Sequence, residues 1–195
     1  MPRRRTVDDD AILDATLRAV GAVGPARLTL ADVAAEAGLA PATLVQRFGS
    51  KRGLLLAVSE RSAARAGAGL RRAADGRRSA LGALRAGLLA DAGDVDDPRV
   101  FANHLAFLQL ELADPEFHRH VRVHAERVAK EIRGLLDVAV ARGELRDTDT
   151  AQLARTVQTA YNGALITWAI HRRGSLRRWV ARELGAVLAP HAGTR

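Results

Sequence analysis

The stretch TLADVAAEAGLAPATLVQRFGSKR, Thr29 to Arg52, decides how the rest of the 195-residue chain is read. Leu30, Val33, Ala34 and Ala37 fall at i, i+3, i+4 and i+7, the apolar stripe of one helix face. Thr29 stands just before that stripe as an N-cap, with Asp32 three residues on as its capping-box partner. Gly38 suits the left-handed residue that ends a helix, because it has no Cβ to clash. Pro41 opens a second helix at its first turn, where no backbone donor is needed. Leu44 and Phe48, four residues apart, share one face of it. Gly49 and Ser50 end it, and Ser50 can cap a third. Two short helices around a tight turn make the helix-turn-helix pattern, whose second helix, here Pro41 to Phe48, is the one that enters a major groove. Spacing alone fits an ordinary helical hairpin in an all-α core equally well.

Working outward, the same local signals recur. Asp8, Asp9 and Asp10 favour a helix start, and a first helix is expected from there to Val23, with Ile12, Leu13, Leu17 and Val20 inward and Gly24-Pro25 as its end. A long helix is expected from Ser50 to Ala74, with Gly67 and Gly69 as places where it bends or frays. Further helices are expected from Ser79 to Leu89 or Ala90, from Pro98 to Ala113 and from Pro115 to Arg142. Two more are expected from an Asp147 or Thr148 cap to Arg173, and from Leu176 to Leu188. Residues 91–97 read as a loop. About nine helices with short connections and no alternating strand pattern give an all-α fold.

Composition narrows the function classes. Hydrophobic residues make up 48% of the chain, enough for a core, and there is no cysteine for a disulfide or a thiolate metal site. The opening MPRRRTVDDD has no apolar run behind its arginines, and no segment reaches the length of a membrane span, so a cytoplasmic protein is expected. The net charge of +8 favours polyanionic partners. Only Lys51 and Lys130 are lysines, so 28 of the 30 basic residues are arginine, a bias that fits GC-rich codon usage as well as function. Residues 1–52 carry eight basic against six acidic side chains, net +2, so placement matters more than total charge.

The residues Thr29-Leu-x-x-Val-Ala-x-x-Ala-Gly-Leu-Ala-x-x-Thr-Leu-Val-x-Arg-Phe-Gly-Ser-Lys51 resemble the DNA-binding signature of the TetR family of bacterial transcriptional regulators. The likeness covers about fifty N-terminal residues; the remainder is similar in helix pattern and length rather than in motif. Val45 stands where the family often has Tyr, and Arg47 where it often has His. Both usual residues tend to touch phosphate, a role open to Arg47 but not to Val45. The resemblance implies a helix-turn-helix domain over 1–52 and a larger helical domain for effector binding and dimerisation over 53–195. It also implies a homodimer on a palindromic DNA operator, probed by paired recognition helices. A small apolar or amphipathic effector would release the DNA by shifting the hinge in the long helix, with no cofactor and no enzyme activity.

On the recognition helix and its flanks, the DNA-binding candidates are Thr29, Pro41, Ala42, Thr43, Val45, Gln46, Arg47, Lys51 and Arg52. Gln46 can pair with an adenine edge, and Val45 or Ala42 can meet a thymine methyl. Thr29, Thr43, Arg47 and Lys51 suit phosphate. Lys51 and Arg52 sit at a helix start, where cations oppose the dipole unless a phosphate sits there too. Arg3, Arg4 and Arg5 form an arm for phosphate or the minor groove, or a solvated tail.

For the effector pocket that the family implies, the candidates are Leu88, Phe101, His104, Leu105, Leu108, Tyr161, Asn162 and Trp168, apolar groups with a few polar ones. Each reads equally as core. For the dimer the candidates are Leu153, Val157, Ala160, Ala164, Trp179, Val180, Leu184 and Val187, with packing inside one chain as the competing reading. His118, His120 and His124 offer i, i+4 metal spacing near Glu116, which keeps a helical metal-dependent enzyme as an alternative, although the arginines around them favour a solvated face. An architectural DNA binder without an effector is a third reading.

Overall fold

The computed structural model describes residues 7–91 and 97–193. Among these the chain forms α1 (Asp9–Val23), α2 (Leu30–Ala37), α3 (Pro41–Phe48), α4 (Lys51–Arg65), α5 (Ala68–Ala74), α6 (Ala80–Asp91), α7 (Pro98–Ala113), α8 (Pro115–Ala141), α9 (Thr150–His171) and α10 (Leu176–Leu188), with a short 3-10 turn at Ala189–His191. The described residues hold no strand, only an isolated bridge between Leu145 and Ala192. The all-α expectation holds. The helix expected from Ser50 to Ala74 is two segments, because Gly67 takes φ 76, a left-handed value that ends one helix and precedes the next. Asp149, rather than Asp147 or Thr148, caps α9, accepting from the Gln152 N–H. Arg3, Arg4 and Arg5 and most of the expected 91–97 loop lie outside the described residues.

The helices form two compact units. The first joins Met1–Ala64 with Arg99–Arg122, so α1 to α4 pack with most of α7 and the start of α8. This is a division by packing, in which α4 and α7 share the first unit's core; the division at Arg52 expected from the sequence was one of function. That core is Ile12, Leu13, Val20, Leu28, Val33, Leu44, Leu54, Leu55 and Val58, closed by Phe107 and Phe117, whose rings meet edge-on at 6.5 Å. α2 and α3 have eight residues each. Isolated helices below ~12–15 residues are marginal in water, so burial has to hold both. Val33 and Leu44 are fully buried, and each such side chain contributes about 1.5–3 kcal/mol.

The second unit joins Arg65–Pro98 with Val123–Arg195. Here α5 and α6 approach so closely that a Cβ on Gly87 would lie 2.8 Å from the Leu70 Cα. The start of α6 is capped from a distance. Glu144 accepts from the Ala80 N–H (2.7 Å), the Leu81 N–H (3.0 Å) and the Ser79 hydroxyl (2.7 Å). Partial burial works against this charge, but the three donors outweigh it and hold the carboxyl below the usual glutamate range. Trp168 and Trp179 lock the α9–α10 turn by donating their indole N–H groups to the Gly174 and Arg173 carbonyls, at 3.1 and 2.7 Å.

Removing a distant cap has a readable cost. Glu144→Ala lowers stability at pH 7 by about 0.5–2 kcal/mol, the range for a lost helix cap. Because the native carboxyl titrates lower than the unfolded one, that contribution is present above the unfolded value and lost as pH falls through the native one. Thermal unfolding followed by circular dichroism at pH 7 and pH 3 should show the gap between wild type and variant closing at the lower pH.

Candidate nucleic-acid interface

The turn between α2 and α3 is built from backbone chemistry that the local sequence dictates. The Thr29 hydroxyl accepts from the Asp32 N–H (3.1 Å), while Asp32 accepts from the Thr29 N–H (2.8 Å) and hydroxyl (2.7 Å), a complete capping box. These Thr29 bonds, side chain first, hold the Asp32 carboxyl below its ordinary range. At the other end of α2, Gly38 takes φ 67, and the Leu39 N–H reaches back to the Ala34 carbonyl at 2.8 Å. Pro41 then starts α3, and Gly49 closes it with φ 73. The Ser50 hydroxyl caps α4 by accepting from the Gly53 N–H at 3.0 Å.

α3 has one face in the core and one in solvent. Leu44 is fully buried and Phe48 half-buried, while Pro41, Ala42, Val45, Gln46 and Arg47 are exposed. Val45 keeps 48% of its surface exposed directly beside fully buried Leu44. Thr29 is exposed and Thr43 half-buried. The structure therefore brings Pro41, Ala42, Val45 and Gln46 together on one outward ridge, as their spacing requires.

The cations are more engaged than their positions suggest. Arg47 donates to the Val7 carbonyl at 2.6 Å and lies 3.3 Å from Asp9, so it also ties α3 to the start of α1. Lys51 donates to the Ala26 carbonyl at 3.1 Å, using one of its three N–H groups. Arg52 is fully paired on one side: Nη1 donates to Glu116 at 2.7 Å and Nη2 to Asp114 at 2.8 Å, and the guanidinium lies 5.3 Å from the centroid of the Phe117 ring. These bonds, Asp114 first, push the Arg52 guanidinium up, and Arg52 in turn holds the Asp114 carboxyl down. Arg52, expected as a phosphate ligand, is thus engaged by two acids in this structure. Its partners lie more than sixty residues away and leave no trace in the local pattern.

Other positioning residues escaped the sequence reading. Arg61, with its side chain only 10% exposed, joins α4 to α1 through Asp14 (2.7 Å) and the Asp10 carbonyl (2.7 Å). Asn103 donates to the Gly21 carbonyl at 2.8 Å, so α7 holds the last turn of α1. Ser59 on α4 donates to Glu111 on α7. Burial pushes the Glu111 carboxyl up, and the Ser59 hydroxyl only partly offsets this. The one available signal was an acid among the apolar residues of α7.

A model of bacterial regulatory proteins of the tetR family matches residues 12–58, the segment that holds α1 to α3 and the first half of α4. A protein from Rhodococcus sp. assigned to that family is 28% identical with a TM-score of 0.69, over 93% of this chain and 97% of that one. Residues 12–58 are a TetR-family DNA-binding segment, on a chain with the TetR-like fold. The TetR transcription regulator of Haloarcula marismortui superposes with a TM-score of 0.77 at 18% identity, over 94% of this chain and 97% of that one. SmeT, the repressor of the Stenotrophomonas maltophilia multidrug efflux pump SmeDEF, does so with 0.69 at 23% identity, over 96% and 91%, and has also been solved with triclosan. No curated protein matches the chain.

Within this TetR-like fold the remaining candidates separate. Phe101, His104, Leu105 and Leu108 lie on α7 in the first unit, and Leu88, Tyr161, Asn162 and Trp168 lie in the second. Leu88 and Trp168 are buried core, while Leu108 and Asn162 are exposed. His104 packs against α1, its Nε2 3.0 Å from where a Cβ on Gly21 would stand, and burial lowers its basicity. A recess of about 370 Å³ in the first unit is lined by Lys51, Arg52, Leu55, Leu110, Asp114 and Phe117, none of them a pocket candidate. Of the dimer candidates, Leu153, Val157, Ala164, Val180 and Leu184 are buried inside the single chain and are unavailable to a second one. Ala160, Trp179 and Val187 are half-buried. Among the described residues no three His, Asp or Glu side chains converge to hold a metal, so His118, His120 and His124 do not form the centre that the enzyme alternative needs. No described helix is long and apolar enough to cross a membrane.

Glu111 gives this site a pH dependence of known sign. A native carboxyl raised above its unfolded value contributes stability at low pH that is lost as pH rises through the native value. Glu111→Gln, which keeps a partner for Ser59, is therefore expected to unfold at a higher temperature than wild type at pH 8 and at the same temperature near pH 4, as measured by calorimetry.

Proposed function

We propose that this protein is a TetR-family transcriptional repressor that binds a palindromic operator as a homodimer through α3. The observation that carries the reading is the outward ridge of Pro41, Ala42, Val45 and Gln46 on a helix fixed from behind by Leu44. An exposed valine on a positioned two-turn helix suits a thymine methyl, and Gln46 beside it suits an adenine edge. Thr29, Thr43 and Lys51 flank the ridge as phosphate ligands, Lys51 with two N–H donors to spare, and Arg47 adds its remaining donors.

One two-turn helix reads only a few base pairs, so a second copy is required. The surface that supports one is the outer face of α9. Ile166 is 44% and Ile170 71% exposed, and Gly163 lies on the same face with nothing within 4 Å of where its Cβ would be. Large exposed isoleucines beside a glycine allow a second helix to approach closely. The effector part of the reading rests on the family and on SmeT, which holds triclosan. An apolar or amphipathic ligand would act here by binding one spacing of the two recognition helices better than another, since equal affinity for both shifts nothing. Such a protein works in the cytoplasm, with the DNA.

Selection of bound duplexes from random DNA is expected to return an inverted repeat with half-sites about one helical turn, ~34–36 Å, or multiples apart. A pool without preference would replace this reading with the architectural one. On the selected site, Gln46→Ala relaxes the choice at one position, while Lys51→Ala weakens every sequence alike and flattens the salt slope by about one unit. Equal losses on all sequences for both variants would remove the division of labour. Ile166→Glu with Ile170→Glu is expected to halve the mass seen in sedimentation and to weaken operator binding by at least tenfold, about 1.4 kcal/mol.

A further inference from the structure

We propose that Arg52 is a two-position switch: Asp114 and Glu116 hold it in the free protein, and a backbone phosphate at the start of α4 takes it over on the operator, so that the acid pair restrains DNA affinity. This rests on the operator-binding reading above, and it adds an autoinhibitory contact that the reading does not contain.

The geometry supports an exchange rather than a fixed strut. The Arg52 side chain is 53% exposed, and those of Asp114 and Glu116 are 32% and 42% exposed. Ion pairs this hydrated are held weakly, so a ligand of the same sign and spacing as the two carboxylates can displace them. A buried pair could not open in this way without stranding a charge. A phosphate presents two oxygens to a guanidinium fork as two carboxylates do. Arg52 also lies in the first turn of α4, whose dipole favours an anion although the Ser50 hydroxyl already takes the Gly53 N–H. Lys51, next to it, supplies a second cation.

The corner that Arg52 would leave is held by other contacts. Asp114 accepts from the Glu116 N–H at 2.9 Å and so caps α8 with its other oxygen. Arg119 lies 4.0 Å from Glu116 and remains as a counter-charge. Phe117 stays in the core, 1% exposed, whichever way the guanidinium points. While Arg52 is paired, the two carboxylates cancel its charge and set negative groups beside the phosphate position, both of which oppose DNA. The acids at the α7–α8 corner therefore compete with DNA for one side chain.

The test is a set of salt titrations by fluorescence anisotropy on the selected operator, using the full chain. Asp114→Asn with Glu116→Gln is expected to tighten binding about three- to tenfold at 0.1 M salt and to steepen the log–log salt slope by about one unit, the value of one added phosphate contact. Asparagine keeps the α8 cap, and thermal unfolding checks the fold; should the double variant not fold, Glu116→Gln alone is expected to give the smaller part of the same gain. Removing two negative charges tightens any basic protein on DNA, so the same acid changes are also made in Arg52→Gln. Loss of most of the gain there supports the switch, because the coupling then runs through Arg52. An equal gain in that background overturns it, as does wild-type affinity and slope for Asp114→Asn with Glu116→Gln. If the wild type selects no sequence but the acid variants still gain affinity through Arg52 on any duplex, the operator reading falls and the exchange stands. If no variant binds duplex DNA, both fall.

Discussion

Eight residues are too few for a helix to persist in water on its own, and α3 has eight. The outward ridge of this protein therefore depends on the contacts behind it. Leu44 anchors the inner face, Pro41 and Gly49 set the ends, and α1 and α4 provide the floor through Ile12, Val20, Leu54 and Val58. Apart from Pro41 and from Arg47, which ties α3 to the start of α1, the exposed side chains of α3 are free to vary in chemistry because they do not hold the helix in place. If the ridge reads DNA as proposed, affinity and stability are encoded largely by different residues of one short helix.

The same dependence explains why the first unit reaches beyond the helix-turn-helix. α7 and the α7–α8 corner join it through polar contacts: Asn103 on the end of α1, Glu111 on Ser59 of α4, and Asp114 with Glu116 on Arg52. Each spans more than fifty residues of sequence. Together with Phe107 of α7 and Phe117 of α8 they make α7 and the start of α8 part of the platform that carries α3. A perturbation of α7 is in this sense already a perturbation of the DNA-reading unit, without any need to pass through the chain in order.

What could be read from the sequence follows the range of the forces involved. Caps act over three or four residues, so Thr29 with Asp32, Gly38, Pro41 and Ser50 placed α2, α3 and the start of α4 correctly from local pattern alone. The outward set on α3 followed from periodicity once Leu44 and Phe48 were assigned inward. Periodicity shows that a stripe is buried but not against what. That is why Leu153, Val157, Ala164, Val180 and Leu184 read as a dimer seam and are core instead. α9 is apolar on two faces, and the one carrying Ile166 and Ile170 is the exposed one. Long-range ion pairs were invisible, so Arg52 was assigned only to a phosphate, while its partners in the structure come from the α7–α8 corner. The break at Gly67 was legible as a weak point, but glycine tolerates several backbone conformations and did not by itself announce a full stop.

The aromatic residues divide between the two units without overlap. Phe48, Phe101, Phe107 and Phe117 all belong to the first, and Tyr161, Trp168 and Trp179 all belong to the second. Near-ultraviolet absorbance and intrinsic emission above 300 nm come from indole and phenol, so the first unit is nearly dark and the second carries the whole optical signal. Within it, Trp168 is encased, while Trp179 is stacked on the His171 ring at 5.5 Å and covered by the Arg182 guanidinium at 4.2 Å. The chain thus contains a native chromophore pair confined to the α9–α10 end. Its emission reports the surroundings of these residues, all of them in the second unit.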